Sequence, residues 1–183
     1  MLFSNLHRFL LASTVFSFHC SARPLNARGS GDVFHIYAFG DNISGLQVFC
    51  ADGVAKLGDP THSVAAEVIP VHFTISDTDE YTWLAHADSG NATWSTKALY
   101  MANAGSSEVG FAAPSSAGKL TNVWWTYGKY VMVNIEDANF YAQPIAGAAG
   151  WYTLSWSSSK QAKSDKTLVT LRTIEPSTNS VLA

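Results

Sequence analysis

Nowhere between Val33 and Ile174 do apolar residues recur at three- and four-residue spacing over the length that a helix needs. They come in short runs, and Gly, Asp, Asn, Ser or Pro closes nearly every one. That punctuation limits the chain to short strands. Short strands at this spacing, with no amphipathic helix between them, bury their apolar faces as a sandwich or a barrel. The expected fold is therefore all-β, a single-domain antiparallel β-sandwich or barrel.

Individual runs sharpen this. Leu46–Ala51 and Val54–Leu57 flank Asp52-Gly53, a pair suited to a hairpin turn whose two central residues both need positive φ. In Glu67–Ile75, Ile69, Val71, Phe73 and Ile75 alternate with Pro70, His72 and Thr74, the period of a half-buried strand. Pro70 lacks a ladder donor and predicts an edge position or a bulge. Further strands are expected at Val33–Phe39, Tyr81–Ala87, Trp94–Met101, Val109–Ala112, Val123–Tyr127, Tyr130–Ile135, Phe140–Gln143, Trp151–Trp156 and Leu168–Ile174. A helical turn has room only at Asp137–Ala142.

The first residues are expected to be removed before folding. Met1–Arg8 carries one Arg and no acid, Phe9–Phe18 is an apolar run, and Cys20-Ser21-Ala22 offers small residues to a signal peptidase. The apolar run is too short to span a bilayer. The reading is a secretory signal at 1–22, a leader or pro-segment at 23–32, one β domain at 33–176 and a tail at 177–183. Loss of residues 1–22 removes Arg8 and leaves 10 of the 11 Lys and Arg against all 14 Asp and Glu. The mild negative charge, without a basic stripe, argues against nucleic acid and membrane surfaces as partners. Lys160, Lys163 and Lys166 form the one basic cluster and read as a solvated loop. Cys20 leaves with the signal, so Cys50 stands alone within an apolar run, where a small buried side chain is expected. Asn42-Ile43-Ser44 and Asn91-Ala92-Thr93 are N-glycosylation sequons beside turn residues.

The stretch Tyr37-Ala-Phe-Gly-Asp-Asn-Ile-Ser-Gly-Leu-Gln-Val-Phe49, with Asp52-Gly53 and Gly58-Asp59 after it, resembles small secreted proteins of filamentous fungi. Phe140-Tyr-Ala-Gln-Pro144, Gly150-Trp-Tyr-Thr-Leu-Ser-Trp156 and Val169-Thr-Leu-Arg-Thr173 extend the likeness over Val33 to Pro176. The resemblance implies secretion and a fungal source. It brings no activity and no site residue.

Several constellations bear on chemistry. Trp124 and Trp125 are adjacent, so in a strand one faces the core and the other faces outward. With Tyr127 and Tyr130 nearby, the outward ring belongs to a candidate binding platform for sugar. Glycoside hydrolysis would need two carboxylates about 5–10 Å apart. Glu67, Asp77, Asp79, Glu80, Glu108, Glu136 and Asp137 are the candidates, most of them reading as turn residues. His35, His62, His72 and His86 show no metal-ligand spacing, though His72 and His86 fall on neighbouring strands and can meet across a sheet. No nucleophile elbow and no phosphate-cradling glycine loop is present. No cofactor, metal or catalytic residue is expected. The function expected is that of a secreted, non-catalytic protein, extracellular or wall-associated, that binds carbohydrate or cell-wall glycan through exposed aromatics. The alternatives are a secreted hydrolase and a factor that binds an extracellular protein.

Overall fold

The structure, a computed structural model, describes residues 29, 31–62, 65–88, 94–103, 106–158 and 165–177. The segment expected to be a signal (1–22), residues 23–28 and 30 of the expected leader, Asn91, Lys160, Lys163 and residues 178–183 lie outside them.

The chain is all-β. Its strands are β1 (Tyr37–Gly40), β2 (Ile43–Ala51), β3 (Val54–Leu57), β4 (Val68–Ile75), β5 (Trp83–Ala87), β6 (Lys97–Ala102) and β7 (Val109–Ala112). There follow β8 (Lys119–Leu120), β9 (Trp124–Tyr127), β10 (Tyr130–Val133), β11 (Asn139–Ile145), β12 (Ala148–Ser157) and β13 (Thr167–Arg172). One short 3₁₀ turn spans Pro60–His62. Asp137–Ala142 holds no helical turn among these: it runs into β11, where Phe140, Tyr141 and Ala142 are all buried by pairing on both sides.

Ten strands close an antiparallel barrel in the order β1-β2-β4-β5-β6-β7-β3-β12-β11-β13, with β13 returning to β1. The expected choice between sandwich and barrel thus resolves to a barrel. The β2–β3 hairpin also pairs with itself across this ring. The perimeter is consequently two circuits of six strands that share the hairpin, β2-β4-β5-β6-β7-β3 and β1-β2-β3-β12-β11-β13. The turn between them is the Asp-Gly pair, with φ of 50° at Asp52 and 79° at Gly53, as that hairpin geometry requires. The β9–β10 hairpin hangs from β13, and β8 pairs with β6.

The interior follows from alternation. On β4, Ile69, Val71 and Phe73 point inward and Pro70, His72 and Thr74 outward. Pro70 is not on a sheet edge, because β4 pairs with both β2 and β5. It sits where the β4–β5 ladder ends, beyond Val71 and Ala87, so no donor is missed inside the ladder. Trp83, Trp124, Phe73, Phe34, Phe111 and Phe140 meet in one core, each burial worth roughly 1.5–3 kcal/mol. A smaller cluster caps the outside of β2, where Trp151 packs edge-on against Phe49, ring centroids 4.9 Å apart, beside Ala51. Covered on both faces, Val48–Ala51 is buried without a break, which is why that stretch reads as a continuous apolar run.

Candidate functional site

The aromatic candidates lie on the β9–β10 hairpin, whose turn is Gly128-Lys129 with Gly128 at φ 58°. Trp124 pairs with Val133 and Trp125 with Met132, while Tyr127 faces Tyr130 beside the turn. The inward side is set by β10, where Val131 is buried and Val133 packs on the core. Trp124 shares that side. It is fully buried, its indole stacks on Trp83 and on Phe140 at 5.9 Å each, and its Nε1–H donates to the Leu99 carbonyl at 2.9 Å. Trp124 therefore leaves the candidate platform: a ring with no accessible surface and a satisfied polar atom has nothing to offer a ligand.

Trp125, Tyr127, Tyr130 and Met132 then share the outward face. Tyr127 is 64% exposed and Met132 41%, while Trp125 and Tyr130 are half-buried. Two further side chains extend this face. Lys129 Nζ lies 5.8 Å from the Tyr130 ring centre. Arg172, paired with Tyr130 on one side and Tyr37 on the other, holds its guanidinium between two rings. Its Cζ is 5.2 Å from the Tyr130 centre and 4.6 Å from that of Phe39, within the range of cation–π attraction. Phe39, Ser44, Arg172, Pro176 and Ser177 line an adjoining pocket of about 540 Å³.

Next along the outer wall comes a histidine group. His72 and His86 do meet across the sheet, as direct partners of β4 and β5, with rings stacked at 5.3 Å and 18°. The alternation puts both outward. Asp88 bridges two imidazoles: His72 Nδ1–H donates to Oδ1 at 2.9 Å, and His35 Nε2 lies 3.3 Å from Oδ2. His86 instead faces hydroxyls, with Thr74 Oγ1 2.9 Å from Nε2 and Thr96 Oγ1 3.4 Å from Nδ1. Burial, and behind it the charge of His72, hold His86 below the usual histidine range. Tyr37, whose ring centre lies 6.3 Å from that of His35, donates its hydroxyl to Glu175 Oε1 at 3.2 Å, just past the end of β13. Burial, followed by the Glu175 carboxylate, pushes the phenol up to about 12. Among the described residues no group of three or more His, Cys, Asp or Glu is arranged to hold a metal ion. The sequence marked His35 but not Asp88, which lies just beyond the end of β5.

The carboxylates fall in separate places. Asp77, Asp79 and Glu80 belong to the β4–β5 turn, where Asp79 accepts hydrogen bonds from the Tyr81 amide and the Thr82 hydroxyl at 3.0 and 2.7 Å. Glu136 and Asp137 occupy the β10–β11 turn. Glu67 precedes β4, and its amide donates to Asp52 Oδ1. Glu108 accepts from the Tyr100 hydroxyl, whose pKa burial and that carboxylate raise. Cys50 is fully buried, and burial pushes its thiol up to about 11, the opposite of what a nucleophile needs. Of the two sequons, Asn42 is exposed at the β1–β2 turn with φ 56°, an accessible amide.

No family model matches the sequence, and neither a curated protein nor a solved structure shows significant similarity to the chain.

Proposed function

We propose that this chain is an extracellular, non-catalytic binding protein that holds cell-wall polysaccharide on the outward rings of the β9–β10 hairpin. The observation that carries this reading is the common face of Trp125, Tyr127 and Tyr130. Trp125 and Tyr127 are two residues apart on one strand, about 7 Å, and Tyr130 stands opposite Tyr127. Rings side by side on a rigid hairpin suit the apolar faces of successive sugars, and the phenol hydroxyls and Lys129 supply polar contacts at the margin.

Co-sedimentation of the protein with insoluble chitin, β-1,3-glucan, cellulose and calcium pectate tests it. At least one polymer is expected to retain the wild type. Trp125→Ala and Tyr127→Ala are each expected to weaken retention about tenfold, the equivalent of about 1.4 kcal/mol, with an unchanged circular dichroism spectrum. Absence of retention on every polymer refutes the proposal, as does retention that both substitutions leave intact.

A further inference from the structure

We infer that Arg172 makes this surface a site for a carboxylate, so that the polysaccharide recognised is an acidic one built of uronic acids. The inference rests on the sugar-binding reading above and narrows it. A guanidinium offers five donors in a planar fork and is always charged. Arg172 has its fork held from two sides, by Phe39 at 4.6 Å and Tyr130 at 5.2 Å. Its Nε is buried and has no hydrogen-bond partner among the described residues. No carboxylate among them forms an ion pair with it, and the nearby Glu175 is engaged by the Tyr37 hydroxyl instead.

A cation fixed in orientation, with its donors unspent, is prepared for a planar acceptor. With Nε covered, the edge left for hydrogen bonding is that of the two terminal Nη groups, and a carboxylate matches it with two oxygens. The setting fits as well. Arg172 lines the pocket of about 540 Å³ together with the hydroxyl-bearing Ser44 and Ser177, a volume in the range of small-ligand sites. Arg172 lines the pocket and also lies 5.2 Å from the Tyr130 ring centre, so a sugar stacked on the hairpin can place its carboxylate against it. The negative net charge opposes a polyanion at long range. At physiological salt that repulsion is screened beyond about 8 Å, and contact with Arg172 is shorter.

The experiment titrates the full-length protein at physiological salt with oligogalacturonate and with the same oligomer fully methyl-esterified, which keeps the ring and removes the charge. The wild type is expected to bind the acid form at least about tenfold more tightly, the scale of one charge-assisted pair. Arg172→Gln is expected to equalise the two forms. Arg172→Lys should restore only part of the preference, because the charge returns without the fork. Equal affinities in the wild type, or a preference that survives Arg172→Gln, overturn the inference while leaving the sugar reading standing. Binding of dextran sulfate without oligogalacturonate overturns the carboxylate assignment. If neither oligomer binds, the inference fails, and the insoluble-polymer panel decides the broader reading by itself. The ester comparison needs no variant, so poor folding of Arg172→Gln leaves the test intact.

Discussion

Trp124 and Trp125 are neighbours with opposite surroundings, and replacing each by alanine separates structural from surface roles. Trp124 has no accessible surface, stacks on two aromatic rings and gives its N–H to Leu99. Truncating a buried aromatic to alanine costs about 3–5 kcal/mol. The orphaned Leu99 carbonyl adds about 1 kcal/mol wherever water fails to reach it. Set against a domain stability of about 5–15 kcal/mol, a loss near 4 kcal/mol is a large share of the whole. It should lower Tm by about 10–15 °C, and the urea midpoint by about 2 M for an m value near 2 kcal/mol/M. Trp125 is half-buried on the outer face and lies outside the core cluster, so its truncation should cost about 1 kcal/mol or less. Urea unfolding followed by far-ultraviolet circular dichroism measures both. Trp124→Phe provides an intermediate, keeping a ring while giving up the indole N–H. Equal losses for the two alanine variants, or a loss below about 1.5 kcal/mol for Trp124→Ala, would show that the inward assignment is wrong.

Three other outcomes are expected. A methyl group at Gly110 would stand 2.7 Å from the Gly53 carbonyl oxygen and 2.9 Å from the Tyr100 hydroxyl, so Gly110→Ala should cost about 1–3 kcal/mol by denaturant unfolding; a neutral result refutes the close packing. Cys50 in a Cys20→Ser background should react with a thiol reagent at least about a hundredfold more slowly in the native state than in denaturant. Comparable rates would mean that the thiol is accessible. His86 is held below the ordinary value, so the unfolded chain takes up a proton there first as pH falls. The stability it contributes is present above about pH 6.5 and drains as pH drops toward the folded value. His86→Gln should therefore flatten the fall of the urea midpoint between about pH 7.5 and about pH 5.5, and an unchanged slope counts against it.

Local chemistry was the legible part of this fold. The Asp52-Gly53 turn and the alternation from Ile69 to Ile75 are short-range signals, and both recur in the structure as a hairpin and a half-buried strand. Alternation reduces Trp124 and Trp125 to two options, but the choice between them depends on Val131, Val133 and Phe140, residues brought near by pairing. Ring closure escaped for the same reason, since β1 and β13 carry no mark of each other. Arg172 reads as one charged residue in a predicted strand. Its importance to the site comes from Phe39 and Tyr130, which reach it from two different neighbouring strands. The meeting of His72 and His86 was legible because one short turn joins their strands, whereas the Asp88 bridge to His35 depends on a long-range pairing of Phe34 with Phe73.

The seam between β1 and β13 carries a consequence for how the protein is made. Phe39 finds Thr170 as its partner, about 130 residues later, and such distant pairings are slow to form. While the chain emerges from the ribosome, the β13-facing edge of β1 has no partner until Val169–Arg172 have been made. Loss of the segment from Thr167 would leave open edges on β1 and β11 and free the β9–β10 hairpin from its one partner strand, and open edges are the kind of template on which incomplete chains pair with each other.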